Sequence, residues 1–386
     1  MIRCHLSLRR FACLGLTPLL AVGGCASLPS SGPTAKQVVV GAHSGLDPTG
    51  EIRLVDMTTQ SIADTVEREA AIDKARPTLA VLAVSGRSGV IGVGDILEIR
   101  LYEVGVSLFG GGRSATGGAE TYDPSARGES FPVIVVGADG TIKLPFTGRL
   151  AAAGKTPAEL QSMIERAYRG KSQAPQVLVA VRQNLSDTVF VAGDVRKPGR
   201  IELTLQRERL LDAIATAGGA VSRTQDMVVR FTRGGRTIEE RLDRIVSGAP
   251  DDLELVAGDR IQLIQQPQTY VVLGASNKVS QVPFDQSDVT LAEAIGRAGG
   301  LNDNTADPRS VFLFRYISTA PGQSEVPTIY RIDMLQPQSY FLAQRFLMKN
   351  RDVLFVSNAP INRTAKAVSI INQLFSPFVA ARAVAQ

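Results

Sequence analysis

The sequence predicts a multidomain α+β protein, and three observations carry that expectation. The chain has 386 residues, more than one ordinary hydrophobic core organises. Residues 189 to 219 and 270 to 300 form an internal repeat that aligns without a gap at an offset of 81, with Gly193 opposite Gly274, Gly218 opposite Gly299 and Phe231 opposite Phe312. From residue 92 onward, strand-like stretches alternate with short amphipathic helices, the texture of sheets that bury one face under helices. Apolar residues make up 44% and charged residues 20%, which excludes wholesale disorder.

Residues 1–24 read as an export signal. Arg3, Arg9 and Arg10 form a basic start, and Phe11 to Val22 form an apolar stretch too short to span a bilayer comfortably. The sequence Val22-Gly23-Gly24-Cys25 resembles the bacterial lipobox, in which a diacylglyceryl group joins the cysteine thiol and the cysteine becomes the first mature residue. Of the three cysteines, Cys4 and Cys13 fall in the leader, so the mature chain keeps Cys25 alone and no disulfide framework is expected. A lipid on Cys25 is the one covalent group expected; no other cofactor and no metal is. Several acyl chains anchor firmly where one is marginal, and Ala26 stands where an Asp would retain a lipoprotein in the inner membrane. Removing the leader's three arginines lowers the formal charge from +5 to +2, and aromatic residues are 5%. No nucleic-acid partner is expected from that balance.

Residues 25–91 read as a lipidated tether and a helix. The stretch to about residue 50 is rich in Pro, Gly and Ser, with one short apolar strand at Val38 to Val40. SIADTVEREAAIDKA, residues 61–75, places Ile62, Val66, Glu69 and Ala70 at helical spacing, and the helix ends before Pro77. Residues 92–182 form the next unit. GVGDILEIRLY opens it as a strand launched by a Gly-Asp turn, and a Gly-rich insertion over residues 108–130 reads as a long loop. No Gly-Lys-Ser/Thr follows those glycines, so they do not form a phosphate loop. Strands at 133–137 and 141–146 flank the turn Ala138-Asp139-Gly140. TPAELQSMIERAYR, residues 156–169, is a helix capped by Thr156, with Pro157 in the first turn and Glu159 three residues on, and QVLVAVRQ closes the unit as a strand.

The repeats occupy residues 188–265 and 269–357. Each gives a strand, a turn, a second strand and an amphipathic helix (Leu210, Leu211, Ile214; Leu291, Ile295) that stops on Gly-Gly, the pair that supplies a left-handed cap. Further strands follow, and each repeat closes on a strand led by Asp259 or Asp352, as Asp95 leads the first. Those three aspartates read as turn formers. The only histidines are His5 and His43, so triads, HExxH sites and Cys/His zinc sites have almost no material in the mature chain, and an enzyme is not expected.

The tail, residues 360–386, carries polar residues Asn362, Lys366, Ser369, Gln373 and Ser376 at steps of four and three, one stripe of an amphipathic helix, against Ile361, Val368, Ile371 and Phe378. From Ile361 to Arg382 such a helix runs about 33 Å, enough for a hydrocarbon core, and Pro377 kinks it. Pattern alone leaves three readings open: the tail spans a membrane with its polar stripe shared among copies around a wet lumen, packs on its own domains, or lies flat at an interface.

The lipobox followed by Leu28-Pro29-Ser30-Ser31-Gly32-Pro33, the segments GVGDILEI and ADGTIKLPFTG, TPAEL, the repeated DAIATAGG and EAIGRAGG, and the closing QRFLMKNRDVLFVSNAP together resemble the outer-membrane polysaccharide export family, on the side of the capsule exporters. The resemblance runs from Cys25 to the tail. It implies a polysaccharide export domain at 92–182, two β-grasp-like soluble-ligand-binding (SLBB) repeats, and a C-terminal amphipathic transmembrane helix. It also implies a homo-oligomeric ring, an octamer in the best-known case, that passes capsular polysaccharide through periplasm and outer membrane. Implied partners are an inner-membrane copolymerase-type protein, an ABC transporter, an anionic polysaccharide and outer-membrane lipid. Asn362, Arg363, Lys366, Ser369, Gln373 and Ser376 become pore-lining candidates, with Arg363 and Lys366 as cationic rings at the periplasmic mouth. The Gly-rich insertion and a tail that lacks Trp depart from the best-known member. The other readings are a monomeric tethered lipoprotein that binds glycan or peptidoglycan and, third, a glycan hydrolase using two carboxylates.

Overall fold

The computed structural model describes residues 32–43, 52–84, 86, 89–103, 127–172, 174–318 and 325–360. Its contacts divide the chain into two compact units, Pro77–Pro267 and a second made of Met1–Arg76 with Gln268–Gln386.

Three elements precede the first unit in the chain and belong to the second. Helix α1 covers Ala35–His43, strand β1 Arg53–Asp56 and helix α2 Thr59–Ala75. The strand expected at Val38 to Val40 is thus a helix. Thr34 and Gln37 cap it reciprocally, the Thr34 N–H donating to Gln37 Oε1 at 2.9 Å and the Gln37 N–H to the Thr34 hydroxyl at 3.4 Å. Val38 and Ala42, one helical turn apart, bury on a sheet face, and that docking overrides the strand preference of three valines. In α2 the reciprocal cap of Thr58 and Ser61 rotates Ile62 and Thr65 inward, and leaves Val66 half exposed.

In the Pro77–Pro267 unit, β2 (Ile96–Glu103) pairs antiparallel with β3 (Arg127–Val135) on one side and, on the other, with the later strand Gln176–Gln183. Strand β3 begins inside the expected loop: residues 127–130 pair with the far end of β2. A hairpin of β4 (Thr141–Leu144) and β5 (Gly148–Ala151) turns at Phe146, whose φ of 63° ends the strand short of the expected residue 146. Helix α3 (Pro157–Tyr168) carries the expected cap, with the Glu159 carboxylate accepting the Thr156 N–H at 2.8 Å and the Thr156 hydroxyl accepting the Glu159 N–H at 3.2 Å. Leu160, Ile164 and Tyr168 pack on Leu97, Ile99 and Leu101, and β6 (Gln176–Gln183) completes that sheet.

The first repeat has β7 (Thr188–Gly193), β8 (Gly199–Glu202), α4 (Leu210–Thr216), β9 (Met227–Arg233), β10 (Arg236–Arg241) and β11 (Arg260–Gln265), in the sheet order β10-β9-β11-β7-β8. The first and last strands lie parallel at its centre, and all other pairs are antiparallel. Leu210, Ala213 and Ile214 bury on Val191, Phe231 and Ile261, and a 3-10 turn at Leu79–Leu82 adds Leu79 and Leu82 to the same core.

In the second unit, the second repeat has β12 (Thr269–Gly274), β13 (Ser280–Pro283), α5 (Leu291–Arg297), β14 (Ala306–Ser318), β15 (Glu325–Ile332), α6 (Pro337–Arg345) and β16 (Val353–Asn358). Its sheet runs β1-β15-β14-β16-β12-β13, extended at one edge by β1 in parallel with β15. Both helices stop as expected, with Gly218, Gly219, Gly299 and Gly300 all at positive φ. Gly193 and Gly274 occupy equivalent bends where a Cβ would run into the carbonyl oxygen of Leu263 or Val356.

The expected pairing of Phe231 with Phe312 does not hold in space. Phe231 stands opposite Ile261, the second residue after Asp259, and Leu313 stands opposite Leu354, the second after Asp352. β14 is irregular between Ala306 and Val311, where five steps along it face two along β16, and beyond that break the repeats align at an offset of 82 (313 − 231). One residue of slip reverses the face, so Phe231 belongs to the core under α4 and Phe312 to the opposite face under α1.

Candidate functional site

Cys25 and the pore-lining candidates Asn362, Arg363, Lys366, Ser369, Gln373 and Ser376 lie outside the described residues, as do the leader, the Gly-rich stretch 108–126 and the tail beyond Pro360. Among the described residues, no helix is long and apolar enough to cross a membrane, and no group of three or more His, Cys, Asp or Glu could hold a metal ion.

The described residues do bring together the three strand-leading aspartates and partners that sequence reading passed over. Each is 1% exposed and accepts the backbone N–H three residues back: Gly92 to Asp95 at 2.7 Å, Val256 to Asp259 at 2.9 Å and Lys349 to Asp352 at 2.7 Å. That is the turn chemistry expected. A second task differs. Asp95 accepts the Leu185 and Ser186 N–H groups at 2.9 Å, which ties the end of the first sheet to the start of the first repeat.

Asp259 and Asp352 each take a two-pronged hydrogen bond from an arginine, partly buried Arg233 in the first repeat and buried Arg315 in the second. Arg233 donates through Nε at 2.8 Å and Nη2 at 2.6 Å, and Arg315 through Nε at 2.9 Å and Nη2 at 2.7 Å. Both arginines also donate to a backbone carbonyl, of Glu254 or Leu347, at 2.8 Å. Both lie against aromatic rings, Arg233 at 5.1 Å from Phe231 and Arg315 at 4.8 Å from Phe346. Their last nitrogen reaches far back in the chain, to residues before position 92: Arg233 Nη1 donates to the Leu82 carbonyl at 2.7 Å, and Arg315 Nη1 to Glu69 of α2 at 3.0 Å. Burial pulls the Arg315 guanidinium down, but the hydrogen bonds and charge of Asp352, with Glu69, outweigh it and the net shift is up. These forks are locks rather than open sites. The gap-free alignment had set Arg233 against Phe314; sliding the second repeat by one residue aligns FTR at 231–233 with LFR at 313–315 and would have found them.

Open polar surface lies elsewhere. In the second unit a cavity of about 540 Å³ is bordered by Thr58, Arg309, Asp333, Gln336 and the ion pair Asp56 to Arg331 at 2.7 Å. In the Pro77–Pro267 unit a cavity of about 670 Å³ lies over the exposed side of the β11-β7-β8 strands. The outward side of β2, β3 and β6 exposes Val133, Val135 and Leu178 around Glu98, which Arg100 holds at 2.6 Å and Arg182 at 2.7 Å. The Arg100 hydrogen bond, with both arginine charges, keeps the Glu98 carboxyl below the usual range despite desolvation.

A family model described as polysaccharide biosynthesis/export protein matches residues 83–182, and one for the SLBB domain matches residues 187–262 and 268–356. Curated relatives match over nearly the full length. The chain is 34% identical over 384 residues to the capsule polysaccharide export outer membrane protein CtrA of Neisseria meningitidis, covering 95% of each chain. It is 33% identical over 380 residues to the capsule polysaccharide export protein BexD of Haemophilus influenzae, covering 93% of this chain and 94% of that one. The Vi polysaccharide export protein of Salmonella typhi is 32% identical over 278 residues, or 71% of this chain and 75% of its own.

Proposed function

Because the chain belongs to the family of outer-membrane polysaccharide export proteins, we propose that it is an outer-membrane lipoprotein whose copies form a ring conduit for capsular polysaccharide. The match to the capsule exporters over 95% of both chains is the observation that carries this reading. Export of a polymer is transport and asks for no bond-making residue in the protein itself. In this reading Cys25 bears the lipid, most of the chain stands in the periplasm, and the tail from residue 360 crosses the outer membrane as one helix of a ring. A lone helix with a polar stripe is costly in lipid, because its amides and hydroxyls lack partners. Copies that share the stripe around a water-filled lumen remove that cost while each helix satisfies its own backbone. Arg363 and Lys366 then ring the periplasmic mouth and attract an anionic polymer. A copolymerase-type protein and an ABC transporter in the inner membrane deliver the chain and the energy.

The particle mass of the detergent-extracted protein tests this reading. A ring of several identical subunits is expected, in contrast to the single subunit required of a tethered glycan-binding lipoprotein. A lone subunit after gentle extraction from membranes would exclude the conduit.

A further inference from the structure

Building on the export reading, we propose that the open face of the first repeat binds a carboxylate-bearing sugar chain, with Phe190 as a platform and Arg200 and Arg260 as its charges. Phe190 on β7 stands directly opposite Arg200 on β8 and Arg260 on β11. Residues paired this way share a sheet face, so the three side chains form a row across three strands. Phe190 is 45% exposed and both arginines are exposed. No carboxylate among the described residues is within ion-pair distance of either arginine. Their neighbour on this face, Arg230 opposite Gln262, is by contrast paired with Glu239 at 2.7 Å.

The surroundings suit a sugar acid. The cavity over the row holds about 670 Å³ and is bordered by Thr188 and Gln262, which offer a hydroxyl and an amide to sugar hydroxyls. Its one bordering carboxylate, Asp259, is 1% exposed and committed to Arg233, so it does not oppose an anion. Glu202 stands opposite Thr188, two pairs along on the same face, and does not border the cavity. An exposed aromatic ring presents a negative face to the C–H groups of a pyranose. A guanidinium on each side receives carboxylate oxygens in its fork.

The second repeat supplies an internal comparison. Its residue at the Phe190 position is Val271, opposite Gln281 and Val353, and neither arginine is present. There the same face carries Phe312 and Phe355, closed over by Val38 and Ala42 of α1. Among the described residues, one copy of the fold therefore seals this face with the chain's own helix, and the other keeps it cationic and open.

Calorimetry on full-length protein in detergent tests the site, with hexagalacturonate and a hexamer of α-linked sialic acid as probes and maltohexaose as the neutral control. Both acidic hexamers are expected to bind and maltohexaose is not. Arg200→Gln with Arg260→Gln should weaken binding at least tenfold, Phe190→Ser several-fold, and Arg345→Gln not at all. All replaced side chains are exposed, and matching circular dichroism verifies that the variants fold. Absence of binding by the parent protein, unchanged affinity in the double variant, or equal binding of inorganic phosphate each overturns the proposal. So does a double variant that binds normally but changes subunit number, which assigns the face to contact between copies. Particle mass is read on the same samples: a ring that binds neither hexamer refutes this site alone, whereas a single subunit that binds both refutes the conduit and keeps the site.

Discussion

Arg315 makes four hydrogen bonds from inside a sheet, two to Asp352, one to the Leu347 carbonyl and one to Glu69, so a single side chain joins β14, the turn before β16 and helix α2. Its removal matters mainly for what it leaves behind. Arg315→Met strands the Asp352 carboxylate in a site 1% exposed, and losing one partner of a buried pair costs about 3–5 kcal/mol. Adding Asp352→Asn should recover much of that loss, because an amide oxygen still accepts the Lys349 N–H and carries no unpaired charge. Urea denaturation of the single and double variants measures this; equal destabilisation would sink the unpaired-charge account. Asp187 offers the opposite case. Burial, then the charges of Asp95 and Glu208, raise its carboxyl above the usual range. The folded protein therefore holds that proton more tightly than the unfolded chain, and the stability it contributes is present at low pH and lost as pH rises through the raised value. Asp187→Asn should raise the melting temperature at about pH 7 and leave it unchanged near pH 3, below the ordinary Asp range. A gain of equal size at both values would show that ionisation is not the cause.

At the scale of elements, α1 is the helix whose formation depends most on what it covers. Nine residues are too few to be helical alone in water, so the helix forms because Val38 and Ala42 close over Phe312, Ile329 and Phe355. Val38→Asp buries a charge without a partner and should cost the second unit about 2–4 kcal/mol. Val40→Asp on the same helix, at a position 55% exposed, should stay within about 0.5 kcal/mol. The two denaturation midpoints discriminate cleanly, since equal losses would mean that α1 is not docked by that face. This helix also marks where sequence reading stops. The caps at Thr156 and Glu159, the Gly-Gly stops and the Asp-led turns were legible because each is a bond between residues two to five apart. The valines at 38–40 read as strand because nothing local reveals that the apolar sheet face they cover lies hundreds of residues further along the chain. The bulge in β14 was hidden for a related reason. A net offset of one residue barely disturbs an alignment of glycines and leucines, yet it reverses every side chain beyond it and conceals the match of Arg233 with Arg315. Long-range ion pairs and sheet faces are properties of register, and register is fixed only when the strands meet.

Considered whole, an export role has to reconcile the fixed charges on the folded sheets with the polar stripe that the sequence predicts for the tail, Asn362, Lys366, Ser369, Gln373 and Ser376. The proposed conduit needs the stripe to face water while the helix crosses hydrocarbon. That requirement separates insertion from permeation. Gln373→Leu with Ser376→Leu makes the helix more apolar, so each copy should enter lipid at least as readily, by roughly 0.3–0.6 kcal/mol for every leucine introduced. If the stripe lines a lumen, the same change places two rings of leucine in the polymer's path, and hydrophobic constrictions exclude water from narrow pores. Membrane-extracted double variant is therefore expected to keep the parent's particle mass while losing conductance in planar bilayers and capsule at the cell surface. If the tail instead packs against its own domains, the leucines would face protein, and conductance would be absent from parent and variant alike. If it lies flat at the interface, the added leucines would strengthen attachment and leave surface capsule unaltered. Parent conductance that survives both leucines contradicts the placing of Gln373 and Ser376 at a narrow part of the lumen, because two apolar rings there would break the ion path.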